Sequence, residues 1–272
     1  MIQRFLSLSL AESLLAPAGV DVMFLDETGS TNDDLKAVAR RRAFEKPLLE
    51  VALSQRAARG TKGREWRPAG RGLYFSVGMP IERQCGLSAV VAGIAVVKAA
   101  RRFGLELSLK WPNDLWAVDG KAGGILCETV QDERRELSLI VGIGLNLQVD
   151  VSAVTTNGWP IRDFRALGGE QLLTSVEART AFLSAVVISL VEEVAQIGTT
   201  NPAVVQEDWA RADAFFGRTV NWTSDGEGVQ IGIDRGIDTQ GRLMLEVPND
   251  GALGTGQYFC LSGELCSLKN IR

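Results

Sequence analysis

The sequence predicts an α+β protein: a mixed sheet with packing helices over about residues 1–200, followed by a small all-β domain over 205–272. Three observations carry this. Two long segments, around 87–103 and 176–197, repeat apolar residues at helical spacing. Around them lie short stretches rich in Val, Ile and Leu that read as strands. Past Thr199-Thr200-Asn201-Pro202 the pattern changes to short strands separated by Asp225-Gly226, Gln240-Gly241 and Asn249-Asp250-Gly251, the turn residues of small sheets.

In chain order, Phe5 to Leu15 has the flavour of a signal peptide, but Glu12 and three serines interrupt it and it reads as a packed N-terminal segment. A strand over 22–26 precedes Ser30-Thr31-Asn32. Leu35, Val38 and Ala39 then recur at helical spacing, with Asp33 and Asp34 where a helix N-terminus favours negative charge, so a helix spans about 32–44. Strands follow at 48–54 and 73–78. From Leu87 to Phe103, Val90, Val91, Ile94 and Val97 form one helix face, and Gly104 offers a left-handed stop. Leu105, Leu107 and Leu109 alternate with Glu106, Ser108 and Lys110, a strand in which Lys110 faces away from the leucines. Strands at 124–130 and 137–147 and the helix at 176–197 complete the first domain. A short helical piece around Trp209 leads into the β-rich part, a small barrel over about 212–272.

Composition narrows the chemistry. A chain of 272 residues, 46% hydrophobic and 23% charged, can bury the core of one or two domains. Its longest apolar runs, such as Ala89 to Val97, fall far short of the roughly 20 residues that span a bilayer. Cysteines 85, 127, 260 and 266 form neither a CxxC pair nor a metal-type spacing, which fits a reducing cytoplasm and gives no metal site. The absence of histidine removes Ser-His and Cys-His nucleophiles and the commonest transition-metal ligand. Catalysis then rests on Lys, Arg, carboxylates, amides or a bound cation. A net charge of −4 argues against general nucleic-acid binding, so any basic site is local.

One such site is evident. Residues 56–71 carry six basic side chains against one acid, with three glycines among them. Glycine lets the backbone approach a ligand, and Arg grips a phosphate or carboxylate through two parallel bonds. A solvated basic turn has the same composition, and the spacing is not that of a Walker-type loop. Lys110-Trp111-Pro112-Asn113-Asp114 ends a strand at a proline, placing a lysine where it can act on a ligand or merely sit on an edge strand. Lys121 to Glu128 forms a glycine-led strand. Gly142-Ile143-Gly144-Leu145-Asn146 is similar to a dinucleotide fingerprint but lacks its third glycine and following helix.

Taken together, these segments resemble one family. Ser30-Thr31-Asn32, Gln55 followed by the basic loop and Trp66, Gly72-Leu73-Tyr74-Phe75-Ser76, Lys110 to Asp114, Gly120-Lys121 through Gly124-Ile125-Leu126 with Glu128, and Gly142-x-Gly144-x-Asn146 occur in the order and spacing of biotin–protein ligases. The resemblance covers about residues 22–150, and the β-rich tail resembles the family's small C-terminal domain. It implies a class II synthetase-like catalytic fold with an SH3-like β-barrel, of the monofunctional type without a DNA-binding module.

The resemblance also implies a reaction: biotin and ATP give biotinyl-adenylate and pyrophosphate, and the adenylate acylates a lysine of a carrier domain. Arg59, Arg64 and a Mg²⁺ would supply the positive field, with Lys110 near the carboxylate. Ser30, Thr31, Asn32 and Gln55 would hold biotin; Gly60, Thr61, Lys62 and Trp66 would close over it, and Gly124 and Ile125 would line its site. Lys121, Asn113 and Asn146 would serve the nucleotide, no protein side chain would bind a metal, and Cys127 would be structural. The implied partner is the biotin carboxyl carrier domain of a biotin-dependent carboxylase, with neither DNA nor membrane; an exposed strand edge leaves room for a homodimer. Two other readings stay open: a lipoate or octanoate ligase or transferase of the same fold, and a non-catalytic biotin-binding regulatory homologue. The loop departs from the family's G-R-G-R-x-G-R form, carrying Ala58 for its first glycine and Thr61 for its second arginine. That substitution predicts weaker adenylate retention, an anion contact shifted to Lys62, or a different acyl group.

Overall fold

A computed structural model describes residues 1–64, 66, 70–149, 155–156, 159–197, 199–223, 230–247, 256–260 and 263–266. In chain order its elements are α1 (Leu8–Leu15), β1 (Asp21–Thr28), α2 (Thr31–Arg41), β2 (Leu48–Gln55), β3 (Gly70–Ile81), α3 (Ser88–Arg102), β4 (Ser108–Lys110), β5 (Asp114–Ala117), β6 (Gly120–Gln131) and β7 (Leu137–Val149). The short pair β8 (Thr155–Thr156) and β9 (Trp159–Pro160) follows, then α4 (Gln171–Thr174), α5 (Val176–Ala195) and α6 (Pro202–Ala212). The last five strands are β10 (Thr219–Thr223), β11 (Gln230–Ile237), β12 (Leu243–Val247), β13 (Gly256–Cys260) and β14 (Glu264–Cys266).

The first seven strands form one sheet in the order β1-β2-β3-β7-β6-β5-β4. Only β1 and β2 run parallel, so the sheet is mixed, as expected. Alternation along the strands divides the core. Leu49, Val51, Phe75, Val77, Val141 and Ile143 join α3 and α5 in the large cluster, whereas Ile140 and Val130 meet Leu35 and Ala39 of α2 in a small one. One face therefore carries α1, α3 and α5, and α2 covers the other. Each fully buried aliphatic side chain contributes about 1.5–3 kcal/mol, so the large cluster sets the position of the sheet. The N-terminal segment is packed: Ser7 caps α1, and Phe5, Leu6 and Leu15 are buried beside α5.

Several boundaries differ from the sequence reading. α2 ends at Arg41, before the expected 44. α3 ends at Arg102, and Gly104 takes φ +71° as a stop. Leu105, Leu107 and Leu109 are all buried, yet the ladder starts only at Ser108, because the Leu105 N–H is held by the Ala100 carbonyl at the helix exit. Pro112 lies in the tight turn between β4 and β5, a strand the sequence reading lacked. β4 is an edge strand, but the Ala214 N–H donates to the Leu109 carbonyl at 2.8 Å and covers it.

The small β domain is present as an antiparallel sheet in the order β13-β12-β11-β10-β14. Gln240-Gly241 turns β11 into β12 with Gly241 at φ +81°; Asp225-Gly226 and Asn249-Asp250-Gly251 lie outside the described residues. That turn leans on the first domain, where Trp111 Nε1 donates to the Gly241 carbonyl at 3.1 Å. Among the described residues no helix is long and apolar enough to cross a membrane.

Candidate active site

Where β3, β7 and β6 run side by side on the α2 face, Gly124 stands opposite Gly144. Two missing side chains leave a flat patch of sheet, and the Trp66 indole lies on it: a Cβ at either glycine would come within 3.1 Å of the ring. The cavity here has a volume of about 320 Å³, within the ordinary range for small-molecule sites. Tyr74 of β3 and Leu126 of β6 supply apolar lining on this face, and Phe75, Ile125 and Ile143, whose side chains belong to the large cluster on the other face, contribute backbone. Burial pushes the Tyr74 phenol up to about 12.

One wall is polar and uncharged. Ser30 caps α2, its hydroxyl accepting from Asp33 N–H at 3.4 Å. Gln55 Oε1 accepts from the Thr31 N–H at 2.9 Å and from its hydroxyl at 3.2 Å. The Thr31 hydroxyl lies 2.7 Å from Ser76 Oγ, which donates to Asn32 Oδ1 at 2.6 Å. Asn32 Nδ2 donates to Glu128 at 2.9 Å, and Glu128 is clamped by Lys36 Nζ at 2.6 Å. Burial would lower the Lys36 pKa, but Asp33 and Glu128 outweigh it and hold the ammonium above its usual range. Gly142 admits this network, since a Cβ there would collide with Asn32 Oδ1.

The rest of the rim is cationic. Lys121 Nζ reaches into the cavity 2.5 Å from Asp114 Oδ1 and 5.3 Å from the centre of the Trp66 ring. Arg59 Nε pairs with Asp33 at 3.1 Å. Gly60 N–H donates to the Arg64 carbonyl at 2.7 Å, closing a small turn. Within it Arg64 Nη2 donates to Thr61 Oγ1 at 3.1 Å. Thr61, the departure from the family pattern, therefore orients the next arginine. The Lys62 side chain, with Glu65, Arg67, Pro68 and Ala69 of the same loop, lies outside the described residues.

Most sequence-selected positions converge on this cavity: Ser30, Thr31, Asn32, Gln55, Arg59, Gly60, Thr61, Arg64, Trp66, Asn113, Lys121, Gly124, Ile125 and Asn146 all line it. Lys110 is not among the lining residues and stands one layer back, beside them. It is 3% exposed, lies 5.8 Å from the Trp116 ring and pairs with Asp114 at 3.1 Å. Asp114 thus bridges the two motif lysines. Burial alone would raise its pKa, but Lys110 and Lys121 hold it below the usual carboxylate value.

Asn113 and Asn146 turn their amides to the backbone, Asn113 to the Ile125 carbonyl at 2.6 Å and Asn146 to those of Arg162 and Lys121 at 3.2 and 3.4 Å. Gly142 and Gly144 belong to an antiparallel strand, so the dinucleotide-like fragment is not a phosphate turn. Cys127 lies on β6, where burial, then Glu128, push its thiol up to about 12, leaving it a poor nucleophile. The sequence reading quoted Ser76 within a motif without giving it a role, and did not reach Ile161. A lone serine inside the apolar run of β3 was a usable signal for the first; Ile161 arrives through its bridge to Lys121 and left none. No group of three or more acidic or cysteine side chains among the described residues could hold a metal ion.

Residues 25–146 match the biotin/lipoate A/B protein ligase family. The chain is 32% identical over 231 residues to the biotin–[acetyl-CoA-carboxylase] ligase of Mycobacterium tuberculosis, covering 81% of each. It is 31% identical over 211 residues to the bifunctional ligase/repressor BirA of Salmonella typhimurium, covering 75% of this chain and 62% of that protein's length. The fold matches the biotin protein ligase of Aquifex aeolicus in complex with biotin and ATP, with a TM-score of 0.66 over 90% of this chain and 97% of that one at 23% identity. By shared sequence over most of its length, the chain belongs to the biotin/lipoate A/B protein ligase family.

Proposed function

We propose that the chain is an ATP-dependent biotin–protein ligase, forming biotinyl-adenylate and then passing biotin to a lysine of a biotin carboxyl carrier domain. The observation that carries this is the division of one cavity into a neutral hydrogen-bonding wall, Ser30, Thr31, Asn32 and Gln55, and a cationic rim, Lys121, Arg59 and Arg64. Such a cavity suits an acid whose far end is polar but uncharged, as the ureido ring of biotin is. Lipoate or octanoate would offer no hydrogen bond to whatever donors and acceptors of this wall remain free, at about 1–3 kcal/mol for each one buried. The relatives agree: those of M. tuberculosis and Paracoccus denitrificans are biotin–[acetyl-CoA-carboxylase] ligases, and a fold neighbour from Leishmania major was solved with biotinyl-5-AMP.

In the first step a biotin carboxylate oxygen attacks the α-phosphorus of ATP, and the bond to pyrophosphate breaks. Two anions must meet, so positioning and fixed positive charge are the main help. Lys121 is the group we assign beside the carboxylate, with Lys110 behind it keeping Asp114 ionised and Lys121 anchored. Arg59 and Arg64 would face the phosphates, where a Mg²⁺ carried by the nucleotide would offset charge without a protein site of its own. In the second step the carrier amine attacks the acyl carbon and AMP leaves. Lys121 N–H donors at the developing oxyanion would be worth about 2.7–4 kcal/mol each.

The test is biotin-dependent exchange of labelled pyrophosphate into ATP, with lipoate and octanoate in parallel. Exchange with biotin, abolished by Lys121→Gln, is expected. No exchange with any acid would sink the enzyme reading, and a response to lipoate alone would move the chain to the sister activity.

A further inference from the structure

Glu50, in the middle of β2, has a carboxyl that is 0% exposed and whose two oxygens have no hydrogen-bond partner among the described residues. It projects from the sheet face that α2 covers. Its register neighbours are Met23 on β1 and Ser76 on β3, and the layer around it is apolar, formed by Leu35, Ala39, Phe44, Ile140 and Leu48. Among the described residues the titratable group that acts on it is Asp34, from the first turn of α2; the register partners on the flanking strands bring none. Asp34 is fixed in its turn, accepting from the Thr28 hydroxyl while its N–H donates to the Ser30 carbonyl at 3.0 Å.

A carboxyl buried without a partner and set beside a second carboxyl, here the half-buried Asp34, resists ionisation. Glu50 is the one that keeps its proton: burial, then the neighbouring Asp34, push it up to about 8. The same turn of α2 carries Ser30, Thr31 and Asn32, and the cross-strand neighbour Ser76 holds the last two by hydrogen bonds.

We infer that Glu50 is a positioning residue for the substrate wall: neutral, it seats the first turn of α2 on the sheet, and ionised, it drives Asp34 and with it Thr31 and Asn32 out of place. The inference rests on the reading of that wall as the biotin site. Its consequence is a weakening of substrate binding as pH rises through the range where Glu50 loses its proton, a range in which the biotin carboxylate does not titrate.

The full-length chain is titrated with biotin by calorimetry at pH 7, 8 and 9.5, as wild type, Glu50→Gln and Asp34→Asn, with thermal melts confirming folding at each pH. Wild type loses affinity by about 5-fold or more between pH 7 and 9.5, the lower end of typical site-to-site coupling. Glu50→Gln keeps its pH 7 affinity across the range, and Asp34→Asn, which removes the repelling charge by a second route, flattens the dependence too. Equal pH dependence in wild type and both variants overturns the inference. A wild type that binds no biotin at pH 7 overturns the substrate assignment instead. The inference then stands or falls on the Thr31 methyl resonance, which must shift with a midpoint near pH 8 in wild type and stay fixed in Glu50→Gln.

Discussion

A second buried carboxyl pair joins the small β domain to the catalytic sheet and makes the stability of the protein fall with pH. Asp213, just past α6, accepts from Trp209 Nε1 at 3.0 Å and from the Phe215 N–H at 2.8 Å. Asp234 on β11 is 0% exposed; one oxygen accepts from the Gly236 N–H at 2.7 Å and the other has no partner among the described residues. Burial, then the charge of Asp213, push Asp234 up to about 8 from an ordinary value of 3.8. Between those values the folded chain holds a proton that the unfolded chain has lost. Stability is therefore greatest at the acid end of this window and declines as pH rises, by about 1.4 kcal/mol per pH unit for one proton.

Asp234→Asn keeps the bond from Gly236, turns an amide N–H toward Asp213 and removes the titration. Urea unfolding at pH 6, 7 and 8 measures the difference. Between pH 6 and 8 the wild type should lose about 2 kcal/mol more than the variant, the slope flattening as Asp234 approaches its own midpoint. The proton held by Glu50 is common to both proteins and cancels, whereas Asp213, which burial pushes up to about 6, faces an amide in the variant, so the difference reads the carboxyl pair. Parallel stability curves would refute the reasoning, because they would mean that Asp234 is already ionised in the folded protein.

The remaining predictions concern the site. Lys121→Gln should abolish pyrophosphate exchange, and both Lys121→Gln and Lys110→Gln should lower stability by taking a partner from Asp114, the latter by up to about 3–5 kcal/mol because Lys110 is the more deeply buried partner; equal effects of the two variants on both readouts would undo the division of roles. Gly142→Ala should weaken biotin about 10-fold or more, a cost of about 1.4 kcal/mol, because the new methyl displaces Asn32; calorimetry reads it. Thr61→Arg should slow release of the adenylate, followed by chase with unlabelled biotin and ATP; an unchanged release rate would show that Thr61 and its hold on Arg64 do not govern retention.

What the sequence made legible was whatever is written in local period and short motif. Val90, Val91, Ile94 and Val97 announced α3 because a single face of a helix repeats at a fixed spacing, and Ser30 announced the start of α2 because a cap has a fixed place. β5 escaped because its four residues, Asp114 to Ala117, are too few to show alternation, and because Pro112 read as the end of the sheet when it was the corner of a hairpin. The two lysines show the same limit at the site. Alternation correctly turned Lys110 off the leucine face, but it could not say that Asp114, four residues on, would fold back through the hairpin and take up that ammonium. Nor could it say that β6 would then return alongside β5 and bring Lys121 to the other oxygen of the same carboxylate. Spacing fixes which face a residue leaves from. Which of two cations lines the cavity depends on the pairing of three strands, and that pairing puts Lys121 in its wall while Lys110 meets Asp114 from the other side.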